Sequence, residues 1–275
     1  MGIFLGDTAP AKIFVWPNEV ASVWAWDIKV WPMWLRPGIY HNAKLWLISI
    51  STDLETWLTI FDKNLGANRV YDNWTLTNEN VGYYYQFWNC FGFPFDPGFT
   101  LSQSTNTNFT IDWFSPTNYL YLAAPIHTNK FYSNSLNYWG EQTNTAEARR
   151  GPCMEGFHIP SRTELQNLIS LWTAFWFTTW ERCKNYLLMP LCWKRTGSST
   201  ADTWTYGYYR SSTYSGVVGG GTAGNNMVNR GYWLLIDTTA ISVTNWDSSA
   251  IGKCIRPFKN EAVIPDDTWE ALYAA

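Results

Sequence analysis

Charge is scarce in this chain. Only 15% of its 275 residues are Asp, Glu, Lys or Arg, and they leave a net charge of -3. Nucleic-acid surfaces neutralise phosphates with clustered Lys and Arg, so no nucleic-acid partner is expected. Long apolar runs are missing too. The longest are short and broken by polar residues, well under the ~18 needed to cross a bilayer, and no membrane span is expected. The opening stretch MGIFLGDTAPAK has no basic segment followed by an apolar core, so no ordinary secretory signal is visible. A cell-surface or virion location, the one suspected, would need another export route. There are five cysteines, Cys90, Cys153, Cys183, Cys192 and Cys254, without a C-x-x-C pair, and an odd number leaves at least one unpaired within a single chain. The three histidines, His41, His127 and His158, are isolated and lack H-E-x-x-H spacing, which gives a metal site no support. G-x-S-x-G is absent, no Ser/His/Asp set is recognisable, and the carboxylates are scattered. Catalysis therefore has no motif to rest on.

Aromatic residues, in contrast, are abundant. Trp, Tyr and Phe make up 18% of the chain, and the 19 Trp equal the number of Gly. Near the start, KIFVWPNEV (Lys12 to Val20) and SVWAWDIKV (Ser22 to Val30) repeat, with Trp16 over Trp26. Each reads as strand, tight turn, strand, a hairpin module that either docks a partner or packs as a plain extension. WPMWLRPGIYHN, with Pro32 and Pro37, reads as the linker that follows. Leu45 to Ser51 and Trp57 to Asp62 then read as strands, and the aromatic block Gly82 to Phe95 as core. Asp96 to Asn137 is Ser/Thr/Asn/Pro-rich and reads as surface loops. Ser161 and Glu164 form a capping box. Leu165, Leu168, Ile169, Trp172 and Trp176 follow at helical spacing, predicting one amphipathic helix laid across a sheet. A single long helix among many strands predicts an α+β fold.

The stretch from Tyr206 to Asn260 is expected to carry the function. Tyr206 to Tyr209, Tyr232 to Ile236 and Ile255 to Phe258 read as strands separated by Gly/Ser/Thr/Asn loops. Between Ser211 and Gly252 there is no Lys, Glu or Gln, and the only charges are Arg230, Asp237 and Asp247. Such a surface suits contact better than solvation.

DKNLGA (Asp62 to Ala67), GYYYQFWNCFGFPF, EARRGPCMEGFHIPSRTELQNLI (Glu147 to Ile169), GYYRSST (Gly207 to Thr213) and IRPFKN (Ile255 to Asn260) occur in an order that resembles one family. It is the Fibrobacter succinogenes major paralogous domain, a bacterial branch of the C-type lectin-like fold that also supplies variable proteins of diversity-generating retroelements. The resemblance covers roughly Leu45 to Asn260. With the hairpin module and linker read at 1–40, it implies a C-type lectin-like domain at 41–262, followed by a C-terminal tail at 263–275. It further implies small sheets with flanking helices, and ligand contact through the final strands and their loops. Retroelements scramble adenines, chiefly at Asn-type codons. Asp237 to Ile251 contains only residues reachable that way, except Trp246.

The resemblance implies recognition of a protein or glycan ligand, with contact candidates Arg210, Tyr214, Trp233, Leu235, Asp237, Thr244, Trp246, Asp247, Ile251 and Lys253. Arg210 and Lys253 stand where relatives usually have aromatics, so they either face the ligand or must pair inside. Pro257 replaces a Cys of many relatives, leaving Cys254 as the substitute partner for Cys153 only if its side chain points the same way. Asn245-Trp246-Asp247 is scrambled relative to the W-N-D calcium triplet, and no E-P-N or Q-P-D triplet accompanies it. Calcium therefore has no motif behind it, and no cofactor is expected. Two alternatives are a structural surface or virion component, and a formylglycine-generating-type oxidase with Cys183 or Cys192 brought to Cys254. Finally, Trp16 and Trp26 fall in turns, and Trp193 and Trp204 stand where relatives usually have Gly. Turns need the positive φ that Gly tolerates, so part of the Trp excess is predicted to reflect UGA codons read as Gly in the source organism.

Overall fold

The computed structural model describes residues 35–71, 75–87, 89–95, 139, 145–177, 180–196, 199–201, 205–218, 228–245 and 251–274, together with short strands within 14–32, 103–104 and 121–122. The N-terminal repeat forms two antiparallel hairpins, β1 (Phe14–Val15) with β2 (Asn18–Glu19), and β3 (Ser22–Ala25) with β4 (Ile28–Pro32). Trp16 and Trp26 themselves lie outside the described residues, as does most of Asp96 to Asn137.

The fold is α+β with mostly antiparallel sheets. Its largest sheet contains β5 (Gly38–Asn42), β6 (Leu47–Ser51), β7 (Leu58–Phe61), β12 (Phe157–His158), β18 (Phe258–Lys259) and β19 (Glu270–Ala274). Their order is β12-β18-β7-β6-β5-β19, with every neighbouring pair antiparallel. Both faces are covered, which is why β6 (LISIS) is buried at all its positions rather than alternately. Ile39, Ile48, Ile50 and Ile60 join the main core, while Tyr40, Leu47, Trp57 and Trp269 pack as a second cluster. On the face of β6 and β7 the Ser49 hydroxyl bonds its cross-strand partner Thr59 Oγ1 at 2.8 Å and donates to the Val263 carbonyl at 2.7 Å. The expected tail at 263–275 is corrected here: β19 pairs with β5 and closes the sheet edge. Its EALYA sequence has no strand signal of its own, so the pairing comes from tertiary context.

Helix α1 (Asn78–Val81) and the short hairpin β8 (Tyr83–Tyr84) with β9 (Phe93–Pro94) hold the aromatic block. Most of the described block is core, as expected: Tyr84, Tyr85, Phe87, Phe93 and Phe95 are buried, whereas Tyr83 is exposed. Strands β10 (Gln103–Ser104) and β11 (Tyr121–Leu122) pair in parallel.

The capped helix is α2 (Arg162–Ala174). Glu164 N donates to Ser161 Oγ at 3.2 Å, and Ser161 N donates to Glu164 Oε2 at 2.7 Å. Leu165, Leu168 and Trp172 face the core. Trp176 does not extend this face, because the helix ends at Ala174 and Trp176 is 90% exposed. A further helix, α3 (Trp180–Leu187), was not anticipated. No helix among the described residues is long and apolar enough to cross a membrane; this does not bear on β-barrels.

Candidate functional site

Beyond β13 (Lys194–Thr196) and β14 (Ser199–Ala201) comes the sheet that carries the candidates: β15 (Tyr206–Val218), β16 (Val228–Asp237) and β17 (Ile241–Thr244), in that order and antiparallel. Strand β17 lies inside the stretch expected to be loop. Cross-strand partners share a face, and the register sorts the residues cleanly. Tyr209 pairs with Leu234, Leu234 with Val243, and Ile236 with Ile241. This face meets α2: Leu234 and Ile236 belong to the core with Leu168 and Trp172. The opposite face carries Tyr206, Tyr208 and Arg210 on β15, Asp237, Leu235 and Trp233 on β16, and Ser242 and Thr244 on β17. Five of the ten expected contact residues thus share one side of one sheet.

A sixth, Lys253, is brought over that side by its backbone. The segment 251–254 is stitched to neighbours along both edges. Lys253 N donates to Tyr85 O (3.1 Å), Gly252 N to Arg195 O (2.9 Å), Cys254 N to Tyr208 O (3.1 Å), and Arg210 N to Cys254 O (2.8 Å). So placed, Lys253 Nζ lies 4.4 Å from the Trp233 ring centroid and 5.3 Å from that of Tyr208, while Lys194 Nζ reaches the same Tyr208 ring at 5.1 Å. The Tyr208 and Trp233 rings are themselves 5.1 Å apart. The Arg210 guanidinium sits 5.6 Å from the Phe87 centroid, and its Nη2 donates to the Ile251 carbonyl. Cation–π contact is strongest where water is excluded, and Arg210, Trp233 and Lys253 are all 0% exposed.

Burial corrects part of the expectation. Arg210, Trp233, Lys253 and Ile251 are buried rather than contact surface, and the side chains of the first three are spent on one another, on Phe87 and on Tyr208. Arg210 and Lys253 pair inside by stacking on aromatic rings. Asp237 is half-buried but committed to its own turn: Oδ1 accepts from Thr239 N and Ala240 N, both at 2.6 Å, and from Thr239 Oγ1 at 2.9 Å. Burial pushes its carboxyl pKa up, but these donors outweigh that and hold it below the ordinary value. Leu235 and Thr244 remain half-open, as does Tyr214 beyond a register shift in β15. Trp246 and Asp247 lie outside the described residues. Composition alone missed Tyr206 and Ser242, which the alternation around Leu235 and Thr244 would have supplied.

Tyr214 pairs with Gly231, over which Phe87 lies. A Cβ at Gly231 would run into the Phe87 ring, which also packs on Trp139 at 5.4 Å and on Tyr214 at 6.4 Å. Gly231→Ala is therefore expected to cost about 1–3 kcal/mol by overpacking, read as a lower urea midpoint.

All five cysteines are unbridged. Cys153 packs with Tyr85, Phe87 and Trp139, whereas Cys254 points into the main core, where its thiol donates to Val81 O at 3.7 Å and Cys192 O at 3.8 Å. Cys254 is thus no substitute partner for Cys153. Cys192 is the thiol brought beside Cys254, and both are wholly buried. Burial pushes the Cys254 thiol well up, whereas at Cys192 burial is outweighed by the contacts with Cys254, Tyr209 and the Tyr208 backbone, which hold the thiol below its ordinary value. Among the described residues no three His, Cys, Asp or Glu side chains cluster to hold a metal. Searches against protein-family models, curated proteins and solved structures find no match to this chain.

Proposed function

We propose that this chain is a C-type lectin-like binding protein that recognises a protein or glycan ligand through the outward face of β15, β16 and β17. The observation that carries the reading is the division of that face into a buried patch and an accessible row. A dry patch of Tyr208, Arg210, Trp233 and Lys253 lies beside a more accessible row of Tyr206, Leu235, Ser242 and Thr244. Rigid aromatics flanked by accessible apolar and hydroxyl side chains are what a recognition surface needs. The pair of sheets with flanking helices supports the C-type lectin-like assignment.

The same arrangement suits diversification by a retroelement. Along β17, Ile241 and Val243 point to the core while Ser242 and Thr244 point away, so the outward residues can change without disturbing packing. A reverse-transcriptase gene and a near-copy of the 3′ end beside the locus are the expected finding; their absence removes diversification and leaves binding standing.

Binding is tested on a glycan array and a panel of immobilised bacterial surface proteins. Combining Leu235→Ala, Ser242→Ala and Thr244→Ala is expected to raise Kd by about tenfold or more, since truncation at the centre of an interface costs above 1 kcal/mol per anchor. Circular dichroism should not change. Retention of every signal by the folded triple variant would overturn the assignment.

A further inference from the structure

Among the described residues, the non-glycine positions with left-handed backbone are Trp46 (φ 59°), Leu54 (68°), Trp176 (60°), Leu188 (53°) and Trp193 (45°). Trp supplies 19 of the 275 residues but three of these five positions. Left-handed backbone drives Cβ against the following carbonyl, and glycine alone escapes that cost. A large β-carbon residue is therefore the wrong choice at a rate composition does not explain.

Each site has a local reason to want glycine. Trp176 sits just past the end of α2, at the position that closes a Schellman motif. Its N–H donates to Thr173 O at 2.9 Å, and Phe177 N donates to Trp172 O at 3.3 Å. The accompanying apolar contact is present as well, with the Phe177 and Trp172 rings 4.8 Å apart. Every part of the motif is in place except its glycine, and the indole that replaces it is 90% exposed. Trp46 is the last loop residue of the β5–β6 hairpin, whose turn is held by Asn42 Oδ1 accepting from Lys44 N and Leu45 N at 3.1 Å each. Hairpins place glycine where such a loop re-enters its strand. Trp193 leads into β13, with its N–H on Tyr206 O at 3.1 Å and a parallel bridge to Gly207.

We infer that Trp46, Trp176 and Trp193 stand where the protein made by its own organism carries glycine, the three codons being UGA. UGA differs from the glycine codon GGA by one base, and a cell that reads it as glycine would translate these turns without strain. The structure extends the sequence-based expectation to Trp46 and Trp176, supports it at Trp193, and says which tryptophans are genuine. Trp139, Trp172 and Trp233 are buried and have no left-handed backbone, so their codons are UGG. Two exposed aromatics, at 46 and 176, then drop out of any account of ligand contact. This inference does not rest on the binding reading.

The test is tandem mass spectrometry of peptides from the protein purified from its source cells. Glycine at 46, 176 and 193 with Trp at 172 and 233 is the expected result; Trp at 46 and 176 overturns it. A second measurement uses the chain as written. Trp193 packs on Phe95 at 5.3 Å, and Trp46 meets Phe61 at 6.2 Å and Lys63 Nζ at 4.4 Å, so removing either loses contacts that obscure relief of strain, whereas Trp176 is 90% exposed. Trp176→Gly is expected to raise Tm, and Trp46→Gly and Trp176→Gly are each expected to leave Tm higher than Trp46→Ala and Trp176→Ala do. At positions with ordinary backbone alanine equals or betters glycine, and that order at both sites would also sink the inference.

Discussion

Arg256→Ala is expected to destabilise the protein by about 3–5 kcal/mol, the cost of breaking a buried charge held by several carbonyls. The guanidinium lies in the core and donates to Phe61 O (3.0 Å), Leu187 O (3.4 Å) and Leu188 O (2.8 Å). Two of those carbonyls are orphans of a helix end. Helix α3 stops at Leu187, Leu188 turns into left-handed backbone, and the last carbonyls of a helix have no partner within it. Arg256 thus caps α3 from across the fold and ties it to the end of β7. Removing the side chain strands buried acceptors, each worth about 1–3 kcal/mol when left unpaired. Lysine keeps the charge but cannot span both the strand and the helix end with a planar fork, so Arg256→Lys should recover less than half of the loss. Urea midpoints of the two variants against the parent measure both effects. A loss below about 1 kcal/mol for Arg256→Ala would show that water replaces the guanidinium. Because Arg256 follows Cys254 by two residues, the same substitution should loosen the pinned segment 251–254 and with it the position of Lys253.

What the sequence made legible is what local rules decide. The capping box at Ser161 and Glu164 uses residues three apart, and it appears in the structure with both of its hydrogen bonds. The hairpin repeat is equally local. The far end of α2 misled because Trp176 keeps the helical spacing of the apolar face while occupying a position that glycine normally marks. Strand β17 was hidden in a Ser/Thr run whose pairing with β16 only the register reveals, and β19 was hidden in a sequence with helical propensity. The site shows the same division. The final strands did gather the candidates on one face. But whether Arg210 and Lys253 look outward depends on Phe87 and Trp233, more than a hundred residues and twenty residues away respectively, and charge alone argued for the surface.

Glu164→Gln should produce a loss of stability that depends on pH in a defined direction. The carboxylate caps Ser161 N through Oε2, while Oε1 meets Arg149 Nη2 at 2.8 Å and His158 Nε2 at 3.0 Å. Burial pushes its pKa up, but His158, the Ser161 amide and Arg149 together outweigh that, bringing it from the ordinary 4.5 to about 2. A folded value below the unfolded one means that the stabilisation is complete above 4.5 and is lost as pH falls through about 2. A shift of that size corresponds to about 2–3 kcal/mol after allowance for the partly open side of the group. Glutamine retains an acceptor for the cap, so α2 should survive and the variant should report the charge alone. Parent and variant are therefore expected to differ by about 2–3 kcal/mol in urea at neutral pH, by progressively less below 4.5, and by almost nothing near the folded value. A gap that stayed constant across the acid limb would mean that packing, and not the anion between Arg149 and His158, is what Glu164 contributes. His158 also bonds Asn260 Oδ1 at 3.0 Å, and β12 pairs with β18 at the same point. The carboxylate therefore fastens the start of α2 to the sheet edge, and its protonation is expected to release helix and edge together, in one transition rather than two.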